Sequence, residues 1–589
     1  MRTRSGISRS NPRPDARALL LVLSLASSGC GGAGGGGGSR IESHGAPSKG
    51  RTPEIVVTIV IDQLGAWEAT ERLETLPADG GFARLRREGT WMRDVRYGHA
   101  VTDTAPGHAS LYTGVAPSVH GIVGNERFAR TGGARQEKVS ALRDETTRLV
   151  LGSGVLDEPG KVASSLASLR VPTLADQLRA SHPDARIVSL SLKDRGALFG
   201  GGRTPTASLW FDPSLGALVS SSALTQRLPD WAAPFDARGA LLKYASRTWA
   251  PLDATWIAAH AATPDDQPGE GDFLGLGRTF PHVVPAGGNG MKALRATPFG
   301  DELVLEAAAA AIADHAKGAD RAHAAPMLLA LSLSSHDYVG HVFGPDAWEQ
   351  WDELRRLDRG LSGLFAALDA AVGVDGWAAV LSADHGATTL PEAAENARPW
   401  CRPGAPADRF ARACGPIGRL FSDALGDELQ AAAEKALGAG KWVQGVADPY
   451  VYLDADGLAL SGEKKVKLLD LLVATLRGHA EVESVANVEV ALADCKRSPP
   501  TDADESDRAL LCRSLADGPS GALYVSPKRG SFFDAGYVTG FGSSHGTRFV
   551  FDRSVPLLAR GPGMARGRVD DTPARYVEFA RLARAFLGL

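Results

Sequence analysis

At 589 residues, with 44% hydrophobic and 7% aromatic content, the chain can bury a large core, and its composition excludes a disordered or fibrous polymer. The formal net charge of −4 becomes −8 once residues 1–29 are removed with their five Arg and one Asp, which argues against nucleic acid as an electrostatic partner. Length alone allows several domains, but ligand-type residues are scattered from Asp62 to His545, so one site must draw on nearly the whole chain.

Arg2, Arg4, Arg9, Arg13 and Arg17 precede an apolar run over residues 18–26 that ends in Ser27-Ser28-Gly29-Cys30. A run this short is an export signal rather than a membrane span, and it occupies residues 1–29. The cysteine resembles the end of a bacterial lipoprotein signal, with Cys30 as the lipid-carrying first residue of the mature chain and the cell envelope or periplasm as its location. Ordinary secretion with Cys30 unmodified is the alternative. Residues 30–50, nearly all glycine over 31–39, read as a flexible tether. The remainder, 51–589, reads as one catalytic α/β domain with insertions at about 200–300 and about 390–540.

The first strand-like run, residues 55–61, leads into Asp62. Next comes Val101-Thr102-Asp103-Thr104-Ala105-Pro106-Gly107-His108. Pro106 suits the first turn of a helix and places Thr104 near its N-terminus, where N–H groups and the positive dipole end favour a phosphate. Alone, the run fits an N-cap and turn equally well; beside metal-type ligands, Thr104 becomes the candidate nucleophile, since coordination activates an otherwise weak hydroxyl.

Residues 186–192 form another strand-like run leading into Lys193 and Arg195, which would share one face of an extended segment and reach one anion. Two cations on the non-bridging oxygens favour a monoester dianion over a diester. The insertion at about 200–300, with Trp210, Trp231, Trp249 and Trp256, caps the site or packs as a subdomain.

Three further runs carry metal-type ligands: Asp337-Tyr338-Val339-Gly340-His341 after the apolar stretch 325–334, Asp384-His385-Gly386 after 376–382, and Ser544-His545-Gly546. In open parallel sheets ligands bind where buried strands end. With Asp62, these runs read as one two-metal site whose oxygen and imidazole donors suit Zn²⁺.

The second insertion holds Cys401, Cys414, Cys495 and Cys512, spaced unlike a CxxC clip. Three connectivities are open, and local pairing in an oxidising compartment is the most economical. A βαβ-like piece is expected over residues 442–490, with a helix from residue 461 whose lysines form a solvated face.

Taken in order, Asp62-Gln63-Leu64, Thr104-Ala105-Pro106-Gly107-His108-Ala109, the run from His120 to Asn125, the run from Ser191 to Arg195, Asp337 with His341, the run from Ser382 to Gly386, and Ser544-His545-Gly546 resemble the alkaline phosphatase superfamily. The similarity is to the phosphate-irrepressible bacterial alkaline phosphatases and the related type I phosphodiesterase and nucleotide pyrophosphatase group, over about residues 50–589. The resemblance implies a mostly parallel central sheet flanked by helices, and two Zn²⁺. One metal would be held by Asp337, His341 and His545, the other by Asp62, Asp384, His385 and the Thr104 oxygen. It also implies that Asn125, Lys193 and Arg195 contact the phosphate, and it places His108 and His120 in structural roles.

The expected activity is hydrolysis of small phosphate monoesters through a phosphothreonine intermediate. A phosphodiesterase or nucleotide pyrophosphatase using the same metals and nucleophile is the alternative, and an idle, lipid-anchored phosphate-binding protein is a third. No Cys or Ser stands in a sulfatase-type context. Asp103 departs from the pattern, an acid where an apolar residue is expected, and it would either point away or repel a dianion.

Overall fold

The computed structural model describes residues 52–130, 136–318, 325–393 and 398–589. The export segment, Cys30 and the glycine tether lie outside the described residues.

The apolar runs become the strands β1 (Ile55–Ile61), β2 (Thr90–Arg96), β3 (Arg186–Ser191), β4 (Ala207–Asp212), β5 (Met327–Leu333), β6 (Trp377–Ser382) and β7 (Ser554–Arg560). They lie in the order β2-β7-β6-β1-β5-β3-β4 within a 13-stranded sheet. The inner strands β6, β1, β5, β3 and β4 run parallel, whereas β7 is antiparallel to both β6 and β2. Every residue of β1, β5 and β6 is buried. That is why these strands read as unbroken apolar runs without alternation: helices cover both faces of a parallel sheet. Truncating one such residue, for example Ile59→Ala, costs about 2–5 kcal/mol.

Register decides where the site lies. Ile61 pairs with Leu333, Val60 with Ser382, and Ser332 with Ser191, so β1, β5, β6 and β3 end at nearly the same level. The residues that follow those ends therefore meet along one edge of the sheet.

Four helices matter there: α1 (Thr104–Thr113), α2 (Asp194–Gly201), α3 (Ser335–Phe343) and α4 (Ser422–Leu437). Helix α1 is buried at every position and passes so close to the end of β6 that a Cβ on Gly107 would lie 2.5 Å from the Asp384 carbonyl oxygen. Only glycine allows that approach.

The first insertion differs from expectation at its start. Trp210 lies on β4, a strand of the main sheet, so the segment from 207 belongs to the core. The tryptophans beyond it pack against the core too, and no residue of 200–300 lines the site cavity. The second insertion builds a four-stranded sheet from Val443–Ala447, Tyr450–Leu453, Val482–Asn487 and Leu523–Pro527. Tyr450–Leu453 and Val482–Asn487 each pair antiparallel with the strand between them, and so run parallel to each other around the expected helix, observed over Gly462–Arg477. Lys464 and Lys467 on that helix are exposed. Cys401 pairs with Cys414 and Cys495 with Cys512, the local connectivity. No helix among the described residues is long and apolar enough to cross a membrane.

Candidate active site

Asp62 follows β1 directly, and Asp384 with His385 follows β6 after one residue. Asp337 lies on the first turn of α3, and His341 one turn later presents its ring to the same side. His545 is reached differently: it lies on an irregular loop between Phe532–Phe533 and Val550–Arg553, not at the end of a strand.

These side chains converge. Asp62, Asp384 and His385 bring one ligand atom each within 4.8 Å of one another, and Asp337, His385 and His545 do the same. His341 Nε2 lies 3.1 Å and His545 Nε2 3.6 Å from Asp337 Oδ1. His385 thus stands between the two groups, its ring stacked on His545 at 3.6 Å between centroids.

The donor set fits metal ions. Nδ1 of His341, His385 and His545 faces the carbonyl oxygen of Ser543, Gly386 and Thr102 at 2.8, 3.1 and 2.8 Å. A backbone carbonyl at Nδ1 fixes the tautomer and turns Nε2 toward the centre, as in ligating histidines. Asp62 Oδ2 faces the Lys193 ammonium at 2.7 Å and Asp384 Oδ2 faces His108 Nδ1 at 2.9 Å, whereas Asp62 Oδ1 and His385 Nε2, 3.3 Å apart, are buried with no hydrogen bond, a costly arrangement that a cation between them would relieve.

The charges are strongly biased. Burial and Asp337 push the Asp62 carboxyl up, and Lys193 and His385 overcome them, holding it below the usual carboxylate range. Burial likewise opposes ionisation of Asp337, where His341 and Lys193 prevail and hold it well below that range. Burial and the neighbouring Asp62 raise Asp384. His385, disfavoured as a cation by burial, is pushed up to about 10 by Asp384 and Asp62. Burial and the facing rings of His385 and His341 hold His545 well below its ordinary value.

Thr104 opens α1, with Asp103 at the N-cap position, and is 1% exposed. The Lys193 ammonium is 3.3 Å from Thr104 Oγ1, 2.7 Å from Asp62 Oδ2 and 2.5 Å from Asp337 Oδ2. Burial disfavours this charge, and Asp337 and Asp62 restore it and raise the group well above an ordinary lysine. Asn125 Oδ1 accepts from Ala105 N–H at 2.8 Å, which leaves its amide N–H groups as donors. Thr104, Asn125, Lys193 and Arg195 all line one cavity of about 640 Å³.

The extended geometry expected for Lys193 and Arg195 is corrected: Lys193 caps α2 and Arg195 lies within its first turn, so a helix start presents both cations. Asp103 does not point away. It lines the cavity, its Oδ1 3.5 Å from His545 Nδ1, and burial pushes its carboxyl up to about 6 against the pull of His385 and Arg195.

Two residues of the runs singled out in the sequence make contacts that the runs themselves do not specify. Gln63, left-handed at φ 72°, donates its backbone N–H to Asp384 Oδ1 at 3.1 Å and its side-chain amide to Asp337 Oδ1 at 2.8 Å. His108 sets Nδ1 2.9 Å from Asp384 Oδ2, and its Nε2 meets Ser332 Oγ. His120 stays outside the cluster, against Ser110 Oγ and Ile122 N–H.

Comparison with known proteins places this geometry in a family. The type I phosphodiesterase / nucleotide pyrophosphatase family matches residues 56–405, more than half of the chain. The chain belongs to that family. It is a member of the alkaline phosphatase superfamily and a hydrolase. It is 34% identical over 367 residues to alkaline phosphatase PhoV of Synechococcus elongatus, covering 62% of this chain and 64%, under two thirds, of that protein. With alkaline phosphatase PafA of Elizabethkingia meningoseptica it shares 28% identity over 550 residues, covering 91% and 92% of the two chains. The crystal structure of PafA superposes with a TM-score of 0.75 at 26% identity, over 92% of this chain and 97% of that one. The mixed α/β fold expected from the strand pattern is therefore the fold of an alkaline phosphatase.

Proposed function

We propose that the protein hydrolyses phosphate monoesters, with Thr104 as nucleophile, at a site that holds two metal ions, zinc in both positions. The observation that carries this reading is the meeting of Thr104, Asn125, Lys193 and Arg195 in one cavity above the Asp and His cluster. Relatives named as alkaline phosphatases support it.

Asp337, His341 and His545 would hold one ion, and Asp62, Asp384, His385 and the Thr104 oxygen the other. When bound, such ions acidify a coordinated hydroxyl and neutralise phosphate charge. The chain's own residues do the rest. Helix α1 points its positive end at the phosphate. The amide of Asn125 and the guanidinium of Arg195, whose Nε has no hydrogen-bond partner, hold non-bridging oxygens. Lys193 keeps positive charge beside Thr104 Oγ1 and favours its alkoxide.

Thr104 Oγ gives up its proton to solvent water and attacks phosphorus in line, the bond to the leaving oxygen breaks, and that oxygen takes an equivalent proton back from solvent. Water then attacks the phosphothreonine on the opposite side, releasing inorganic phosphate and the Thr104 hydroxyl. An acid quench during turnover of a labelled monoester should trap label on Thr104, and Thr104→Ser should move it to phosphoserine. Label on no residue, with turnover intact, would remove the covalent step.

Export to an oxidising compartment agrees with the two disulfides. Lipid anchoring rests on the pattern around Cys30, and fatty-acid labelling that is lost in Cys30→Ser tests it.

A further inference from the structure

The cavity has two unlike walls. Lys193 and Arg195 stand beside Thr104. The outer wall, formed by the hairpin of Glu126–Arg130 with Gln136–Ser140, by the start of α4 and by the turn at Asp448, carries Glu126, Asp423 and Asp448 against one cation, Lys138. The Phe421 ring, 39% exposed, faces the same space.

Lys138 lies 3.0 Å from Asp423 Oδ1 and 4.0 Å from Glu126 Oε2, so one ammonium serves two carboxylates and the wall remains net negative. The first turn of α4 does not reverse this. Its partial positive charge is met by Asp423 within the turn, and Asp448 Oδ1 accepts from the Ser422 hydroxyl. Burial pushes the Asp448 carboxyl up to about 7, so its charge is complete only in alkaline solution, and Glu126 with Asp423 supply the fixed charge below that.

Carboxylates lining the cavity of a dianionic phosphate raise the cost of binding it unless positive charge lies between them. The bound ester itself can supply that charge. We propose that the outer wall selects phosphate monoesters whose leaving group carries a compact cation, an alkylammonium or quaternary ammonium group. The inference rests on the monoester reading above and specifies its substrate class. Such a cation has the Phe421 face on one side and the wall carboxylates on the other, contacts that each contribute modestly at an exposed site and act together. An anionic leaving group would meet the same wall with the wrong sign.

The test compares kcat/KM for choline phosphate with that for 3,3-dimethylbutyl phosphate, which has the same shape without the charge, using the metal-loaded full-length protein. We expect the choline ester to be favoured about tenfold at low ionic strength, with the ratio shrinking as salt screens the wall. Glu126→Gln with Asp423→Asn should bring the ratio to about one, and Lys138→Met, which unmasks the wall, should raise it. A wild-type ratio of one or less with both esters turned over, or a ratio unchanged in all variants, overturns the proposal and leaves the monoester reading standing. Hydrolysis of a methyl diester with neither monoester turned over would overturn both.

Discussion

The side-chain amide of Gln63 donates to Asp337 Oδ1 across 2.8 Å, while its backbone N–H holds Asp384 Oδ1 at 3.1 Å. One residue thus ties together carboxylates from β5–α3 and from β6, one from each candidate metal group. It does so from a left-handed backbone, φ 72°, that a side chain seldom adopts. Its carbonyl end also explains Gly340, where a Cβ would lie 2.0 Å from Gln63 Oε1. Gln63→Ala should weaken metal retention by about tenfold to a hundredfold, as loss of a partner oriented on a ligand does. Gln63→Gly relieves the backbone and removes the same amide, so metal release to a chromophoric chelator should be equally fast in both. Release as slow as in the wild type would assign Gln63 to the fold alone.

Thr104→Ala should lower kcat by about a thousandfold or more, since it removes the hydroxyl held 3.3 Å from the Lys193 ammonium at the start of α1. Thr104→Ser keeps the oxygen and should retain part of the activity. Equal losses in the two variants would point to packing at the start of α1 in place of nucleophilic chemistry.

Asp358 gives a pH prediction away from the metals. Its Oδ1 accepts from Phe82 N–H at 2.8 Å, Oδ2 is buried without a partner, and burial pushes the carboxyl up to about 6. The folded chain keeps a proton there that the unfolded chain releases near pH 3.8. This contribution to stability is therefore present at low pH and lost as pH rises from about 4 to about 6. Asp358→Asn, which preserves the acceptor for Phe82, should remove that component, about 1–2 kcal/mol after allowance for relaxation. Thermal midpoints of both proteins at pH 4.5 and pH 8 check it: the variant should gain on the wild type at pH 8, and a constant difference would contradict the account.

The Cys495–Cys512 disulfide closes a separation of 17 residues between two helices of the second insertion. Replacing both cysteines by serine should cost about 2–4 kcal/mol, and hydrogen exchange should locate the loss in residues 488–514.

Much of the site was legible because buried parallel strands read as apolar runs, and their ends announce the ligands. Asp62, Asp337 and Asp384 were placed by that rule. It failed for His545, whose loop has no periodicity; Lys193 and Arg195 do follow the end of β3 as that rule has it, and only their extended conformation is corrected, because α2 begins at Asp194. Trp210 stands in a segment of Gly, Pro and polar residues that reads as an insertion, yet pairing with β3 makes it core. Gln63 stands in the Asp62-Gln63-Leu64 run, but its contacts are not legible there, since they depend on a backbone conformation and two carboxylates more than 270 residues away.

The central claim, a monoester site defined by Thr104 with the Lys193 ammonium beside its hydroxyl and Arg195 in the same cavity, is tested most directly by the ratio of kcat/KM for an aryl phosphate monoester to that for its methyl diester. The zinc-loaded wild type would be compared with the Lys193→Ala, Arg195→Ala double variant. The account predicts a strong monoester preference that collapses in the variant. A diester preference, or a ratio unmoved by the double substitution, would contradict it and place the protein with the phosphodiesterases.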